Sequence, residues 1–329
     1  MSQGLTVFVV AALVLVGCGS SGEQQAAGGA GTSASAGAGD DGGASAAGEG
    51  GTAGSATAGA ATAGAGSQAG AGVSGTGGTG NAGAATRCTI DQAFGTPKPI
   101  AELNTPEHEA GARLTSDELA IVYLCASYDT ICLARRTTRN DPFGAPQTIV
   151  ATGGGVPWIS DDTLTLLFED SSSSSVRLSQ RTTAQAGFPP SKRLLLGYGD
   201  PYVVAGGDGH IYVSTLLSGL EVAALSGWAP AALKPVLGGT TTSGDTRPVV
   251  TPDELTLYFS AGPPSTGTKR SLDIWVKQRK STQDPFGAPV AVAELNTTPY
   301  NFPSWISPDG CRLYFDSGAD LRDLFVAER

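Results

Sequence analysis

Between about residue 88 and residue 329, apolar and polar positions alternate in short runs: "LAIVYLC" from Leu119, "LTLLFED" from Leu164, "HIYVST" from His210, "LTLYFSA" from Leu255 and "CRLYFDS" from Cys311. Such runs are too short for helices and are rich in Tyr, Phe, Val and Thr, so they predict β-strands. Each follows a turn, and the combined phrase recurs five times: "RLTSDELAIVYLC" from Arg113, "WISDDTLTLLFED" from Trp158, "VVAGGDGHIYVST" from Val203, "VVTPDELTLYFSA" from Val249 and "WISPDGCRLYFDS" from Trp305. The matching turn acids are Asp117, Asp162, Asp208, Asp253 and Asp309.

A third strand follows each phrase, "ICLARR", "VRLSQR", "LEVAAL", "IWVKQR" and "LFVAER", and four of the five end in Arg136, Arg181, Arg279 and Arg329, with Leu225 the exception. A fourth element opens with an aromatic residue and a nearby Pro, at Phe94, Phe143, Phe188, Trp228 and Phe286. Four short antiparallel strands repeating at a period of about 45 residues predict an all-β fold of propeller blades, five in number. The last unit stops at "LFVAER", and one fourth element, Phe94 to Leu103, precedes the first phrase. That element is expected to complete the last blade and close the ring, which removes the open strand edge.

The phrases "PSWISPDGCRLYF" and "PVVTPDELTLYF" resemble the WD40-like repeats of TolB-type β-propellers, with their Pro, Ser-Pro-Asp-Gly turn and aromatic strand. The likeness extends over most of residues 93–329 and is weakest in the third unit, where the turn reads Gly-Gly-Asp-Gly. The N-terminal domain of TolB has no counterpart here, so the resemblance implies the fold rather than the same task.

The preceding residues speak a different vocabulary. From Gly19 to Thr86 there is no Lys, Arg or aromatic residue and Val73 is the only branched aliphatic, so the stretch cannot bury enough apolar surface to offset its ordering entropy. It reads as a flexible linker with an end-to-end distance of roughly 45 Å. Val7 to Val16, "VFVVAALVLV", suits the apolar region of a secretory signal and is too short to span a bilayer. Its ending Leu15-Val16-Gly17-Cys18 resembles the lipobox of bacterial lipoproteins, which implies cleavage before Cys18 and a lipid on it; the alternative is a free Cys after an ordinary signal. Gly19 after the Cys implies the outer membrane, periplasmic or cell-surface side. The expected organisation is a signal peptide over 1–17, a lipidated linker over 18–87 and a propeller over 88–329.

Net charge of −10 argues against a nucleic-acid partner, because phosphate binding needs a basic surface. Four cysteines remain beyond Cys18, an even number that fits an oxidising compartment. Cys125 ends the second strand of the first unit and Cys132 lies in its third, so the two flank one hairpin loop. If Phe94 to Leu103 completes the last blade, Cys88 and Cys311 lie at the same end of one sheet. Blade topology therefore predicts Cys125–Cys132 and Cys88–Cys311, the rival being four reduced, buried thiols.

Catalytic constellations are sparse. Only His108 and His210 exist, there is no Cys pair at metal-ligand spacing, and no G-x-S-x-G surrounds a Ser, so no catalytic residue, metal or cofactor is expected. The turn acids and strand-end arginines read as structural, pairing or sharing turn hydrogen bonds within a blade, for example Asp253 with Arg279 or Asp309 with Arg329. At the opposite end, the loops entering each first strand gather round the channel. They bring Glu109, Asp200, Asp245 and Asn301 near Tyr202, Arg247, Tyr300 and Phe302, a set able to hold a cation or a sugar, or else to be solvated loop residues. The expected function is binding of an envelope protein or glycan by a membrane-anchored, non-enzymatic module. The alternative is a carbohydrate-active enzyme or lectin working at the channel mouth, since five-bladed glycoside hydrolases exist as a family.

Overall fold

Thr115, Ser160, Thr251 and Ser307 each start a turn that explains why the repeated phrase folds as it does. In the computed structural model, each hydroxyl donates to the acid two residues on, at 2.6 Å to Asp117, 2.5 Å to Asp162, 2.6 Å to Asp253 and 2.5 Å to Asp309. Those carboxylates also accept the amides of Leu119, Leu164, Leu255 and Cys311, as a short polar side chain does when it replaces a missing turn bond. The next residue is left-handed in every case, Glu118 (φ 62°), Thr163 (φ 58°), Glu254 (φ 57°) and Gly310 (φ 74°). The third unit departs: its turn is a single 3-10 helical turn over Gly206–Asp208, and Asp208 accepts the amide of Gly227.

The structure describes residues 88–329 apart from 90, 127–128, 152, 216–218, 239–245 and 263–270; Cys18 and the expected signal and linker lie outside the described residues, as does Asp245. The chain enters through β1 (Lys98–Pro99) and then builds sheets in order. The first is β2 (Ala110–Leu114), β3 (Ala120–Leu124), β4 (Ile131–Arg135) and β5 (Gln147–Val150), the second β6 (Pro157–Ile159), β7 (Thr165–Asp170), β8 (Ser175–Gln180) and β9 (Lys192–Leu196). The third holds β10 (Gly199–Val204), β11 (His210–Thr215), β12 (Gly219–Ser226), β13 (Ala229–Pro230) and β14 (Lys234–Pro235), the last two both pairing with β12. The fourth is β15 (Thr246–Val250), β16 (Thr256–Ala261), β17 (Asp273–Gln278) and β18 (Val290–Ala291). The fifth is β19 (Tyr300–Ile306), β20 (Arg312–Gly318) and β21 (Arg322–Glu328), completed by β1, with Lys98 opposite Val326 and Pro99 opposite Phe325. The inner strands β2, β6, β10, β15 and β19 touch one another in turn round the ring. This is a five-bladed propeller closed by its N-terminal strand.

Both faces of a blade are covered by neighbours, so the middle strands are apolar on both sides rather than on one. In β3, Ile121 and Tyr123 join the main core while Ala120, Val122 and Leu124 pack with Ile159, Leu166 and Phe168 of the second blade. Burial of each of the larger of these side chains, Val, Leu, Ile or Phe, contributes about 1.5–3 kcal/mol.

The strand-end arginines, expected to pair with the turn acids or to share turn hydrogen bonds, bond to the turn backbone. Nε of Arg136, Arg181, Arg279 and Arg329 donates to the carbonyl of the left-handed turn residue, at 2.7 Å (Glu118), 2.8 Å (Thr163), 2.7 Å (Glu254) and 2.8 Å (Gly310). Each guanidinium then lies over the aromatic ring that opens the fourth element, at 4.4 Å (Phe143), 4.4 Å (Phe188), 4.5 Å (Phe286) and 4.3 Å (Phe94). The turn acids meanwhile accept from their own turns, and Asp309 also pairs with Arg312 at 3.4 Å. In the third blade Leu225 replaces the arginine, and the Trp228 ring lies against Gly207, where any Cβ would collide with it.

The same turns join blades. Glu118 accepts from Tyr314 and Arg312 of the fifth blade, and Glu254 from Tyr212 of the third. Both expected disulfides form, Cys88–Cys311 with Cα atoms 5.0 Å apart and Cys125–Cys132 at 5.8 Å.

Candidate functional site

The inner strands are irregular where they begin. Register shifts interrupt the pairing between Ala110 and Arg113, Gly199 and Tyr202, Thr246 and Val249, and Pro303 and Trp305. Within three of these bulges a residue is left-handed: Gly111 (φ 65°), Asp200 (φ 48°) and Arg247 (φ 57°). A bulge re-aims side chains, and a left-handed Asp or Arg is a conformation that persists only where the surroundings enforce it. Here three equivalent points of three blades are turned toward one another at the end of the channel opposite the turns.

What they build is a belt of charge. Arg247 Nη1 lies 2.8 Å from Asp316 Oδ1, and its Nε lies 3.3 Å from Asp200 Oδ1. Asp316 also accepts Gly111 N at 2.8 Å, Ser304 Oγ at 3.1 Å and, on its other oxygen, Arg322 Nη1 at 2.8 Å. Asp200 Oδ2 accepts Ser214 Oγ at 2.8 Å and the Arg247 amide at 3.2 Å. The Phe302 ring has guanidinium groups 4.8 Å (Arg247) and 4.5 Å (Arg322) from its centroid. Glu169, from the second blade, packs against Gly155 and Gly199, where a Cβ would lie 2.8 Å and 3.0 Å from it. The belt thus draws on every blade.

Its electrostatics follow from burial and partners. Burial alone would raise the Asp316 carboxyl, but Arg247, Arg322 and the Gly111 amide hold it below the usual carboxylate range. Glu169 is pushed up to about 7 by burial first and the Asp200 carboxylate second, with Arg247 pulling the other way. His108 is pulled down to about 4, by burial first and then by Arg322. Its ring nitrogens face the Arg322 amide at 3.3 Å and Arg322 Nη2 at 3.1 Å, so an added proton would meet a donor. Among the described residues no three of His, Cys, Asp and Glu gather as ligands for a metal.

Of the residues expected near the mouth, the structure brings Asp200, Arg247 and Phe302 into the belt and places Tyr202 just beneath, under the Arg113 guanidinium. The others do different things. Glu109 is buried and accepts both the Thr105 amide and hydroxyl. Asn301 is buried and braces a turn through Thr298 and Ser317, while Tyr300 bridges to Leu272 beside the fourth blade.

Sequence reasoning missed Asp316, Glu169, Arg322 and Arg113. A signal for two of them was present: "FED" and "FDS" place Glu169 and Asp316 at the same position of the repeat, seven residues after the turn acid. Arg113 stands where the other phrases open with Trp158, Val203, Val249 and Trp305, a charge in an apolar column.

No protein-family model and no curated protein matches the chain. Among solved structures it is similar to TolB from Acinetobacter baumannii, with TM-score 0.46 and 15% identity over 69% of this chain and 56% of that one. Its fold is similar to that of TolB-type propellers. It is also similar to a glycosyl hydrolase from Bacteroides ovatus (TM-score 0.49, 11% identity, 73% of this chain and 96% of that) and to a GH43_1 enzyme from Xanthomonas citri (TM-score 0.47, 14%, 70% and 89%). The chain spans little more than half of the Acinetobacter TolB. These likenesses concern fold, and the five sheets themselves carry that assignment.

Proposed function

We propose that the chain is a binding module that takes its ligand at the channel mouth, an envelope lipoprotein held to the outer membrane by a lipid on Cys18. The observation that carries the binding reading is the engagement of the acids. Hydrolysis of a glycoside uses two carboxyl groups about 5–9 Å apart, one giving a proton and one acting at the sugar or on a water. Asp316 has both oxygens bonded, to two arginines, an amide and a hydroxyl, and Asp200 is bonded to Arg247 and Ser214. Carboxylates so neutralised hold a shape, and a rigid polar rim with the half-buried Phe302 suits recognition of a ligand.

Glu169 supports a second reading, a carbohydrate-active enzyme or lectin at the same mouth, because a carboxyl near 7 can give a proton at neutral pH. A glycan and envelope-extract binding screen, run with the full chain and with Phe302→Ala, tests the first reading. Binding that the variant loses while its melting stays intact is the expected result. Turnover of aryl glycosides that disappears in Glu169→Gln would replace it with the second.

A further inference from the structure

Among the described residues, Arg113 is the buried side chain with polar atoms left without hydrogen-bond partners. It rises from β2 of the first blade, is fully buried, and crosses the channel: Nη2 donates weakly to the Pro248 carbonyl of the fourth blade at 3.4 Å, and the guanidinium lies 4.8 Å over the Tyr202 ring of the third. Among the described residues its Nε and Nη1 groups have no hydrogen-bond partner. A buried donor left unmade is costly, and a buried guanidinium more so, so natural interiors rarely keep one without a reason. Burial, with Arg247 nearby, lowers its pKa to about 10, which leaves it charged at neutral pH.

Among the described residues, the surroundings do not supply the missing acceptor. Asp200 and Asp316 are close enough to favour its charge, yet their bonds go to Arg247, Arg322, Gly111, Ser214 and Ser304. The arginines of this region, Arg113, Arg247 and Arg322, face Asp200, Asp316 and Glu169, and because burial pushes the Glu169 carboxyl up to about 7 it is only partly ionised at neutral pH, which leaves a partial excess of positive charge in a chain whose overall charge is −10. The local excess therefore has the sign opposite to the protein's own. A ligand that adds one negative charge and one strong acceptor meets both needs. A carboxylate does so better than a hydroxyl, since charge-assisted hydrogen bonds are about twice as strong as neutral ones.

We propose that the channel recognises a small carboxylate-bearing ligand, whose carboxylate accepts from Arg113 while the rest of the molecule rests on the Phe302 rim. This rests on the mouth being the binding site and adds the class of ligand. The carboxylate enters by displacing the side chains that flank Arg113 and takes a position along the Nε–H or Nη1–H direction.

The test is thermal unfolding of the full chain in sodium acetate or sodium D-glucuronate, against sodium chloride at matched ionic strength and against D-glucose. Both carboxylates are expected to raise the melting temperature saturably by a few degrees, glucuronate at lower concentration than acetate, and Arg113→Met is expected to abolish the shift. Arg113→Lys keeps the charge without the planar donor set and is expected to weaken binding about tenfold. If neither carboxylate exceeds chloride, or if Arg113→Met responds as the unmodified chain does, the inference is overturned. Should Arg113→Met not fold, the arginine Nε–H signals of the unmodified chain decide: a protected Nε–H that moves on titration with acetate supports the site, and none moving refutes it. Neutral glycans that bind in a Phe302-dependent way while carboxylates do not would overturn this inference and leave the binding reading standing.

Discussion

The Arg329 guanidinium lies 4.3 Å over the Phe94 ring, so the last strand of the last blade is latched to a residue more than two hundred positions earlier in the chain. Arg136 and Phe143 make the same latch within one blade from neighbouring sequence. One contact closes the ring and the other only seats a strand. Phe94→Ala is expected to destabilise the fold by about 3–5 kcal/mol, the usual range for emptying a buried Phe site. Deleting residues 89–104 is expected to lower the melting temperature further and expose a strand edge. A truncated chain that melts like the full one would show that the ring does not depend on this closure.

The two disulfides differ in what they restrain. Cys88–Cys311 closes a span of 223 residues and Cys125–Cys132 a span of 7. On the chain-entropy account the first contributes roughly 5 kcal/mol and the second roughly 2.5. Cys88→Ser with Cys311→Ser is therefore expected to cost about twice what Cys125→Ser with Cys132→Ser costs in denaturant unfolding. Peptide mapping without reductant should recover the two pairs unmixed.

Stability should depend on pH through two groups of opposite sign. Glu169 has a raised folded-state pKa, so its contribution is present below its ordinary value of 4.5 and is lost as pH rises through about 7, on the order of 3 kcal/mol in all. His108 has a lowered one, so its contribution is present above 6.5 and is lost as pH falls toward about 4. Between about 4.5 and 6.5 the two slopes oppose each other. Glu169→Gln is expected to leave a stability that climbs with pH across that window, and His108→Gln one that falls. Parallel slopes in the two variants would contradict the assignment.

Anchoring has its own measurement. Fatty-acid labelling is expected to mark the chain and to vanish, with membrane fractionation, in Cys18→Ala; a labelled variant would remove the lipid from the proposal.

The ring was legible in the sequence because its causes repeat. The turn acids, the strand-end arginines and the Phe-Pro openings each recur at the blade period and each has bonds or ring contacts within its own blade, to which Arg136 and Arg329 add a bond to a tyrosine of the neighbouring blade. The charge belt is harder to see, because its geometry depends on one-residue bulges. Shifting a strand by one residue sends a side chain to the other face, and no apolar pattern announces that at Asp200 or Arg247. Asn301 and Glu109 show the converse: they lie before the bulges of their strands rather than within them, and brace their own loops. Arg322 left no trace at all, since one arginine at the start of a third strand looks like any solvated end.

The position of Cys88 has a mechanical consequence. Its amide donates to the Asp309 carbonyl and its sulfur is bonded to Cys311, one residue before β20 begins. Tension arriving along the residues before 88 is thus handed to a central strand of the fifth blade, bypassing β1, which has two residues and would peel like tape. The propeller can be pulled by its leader without being unzipped from its weakest edge.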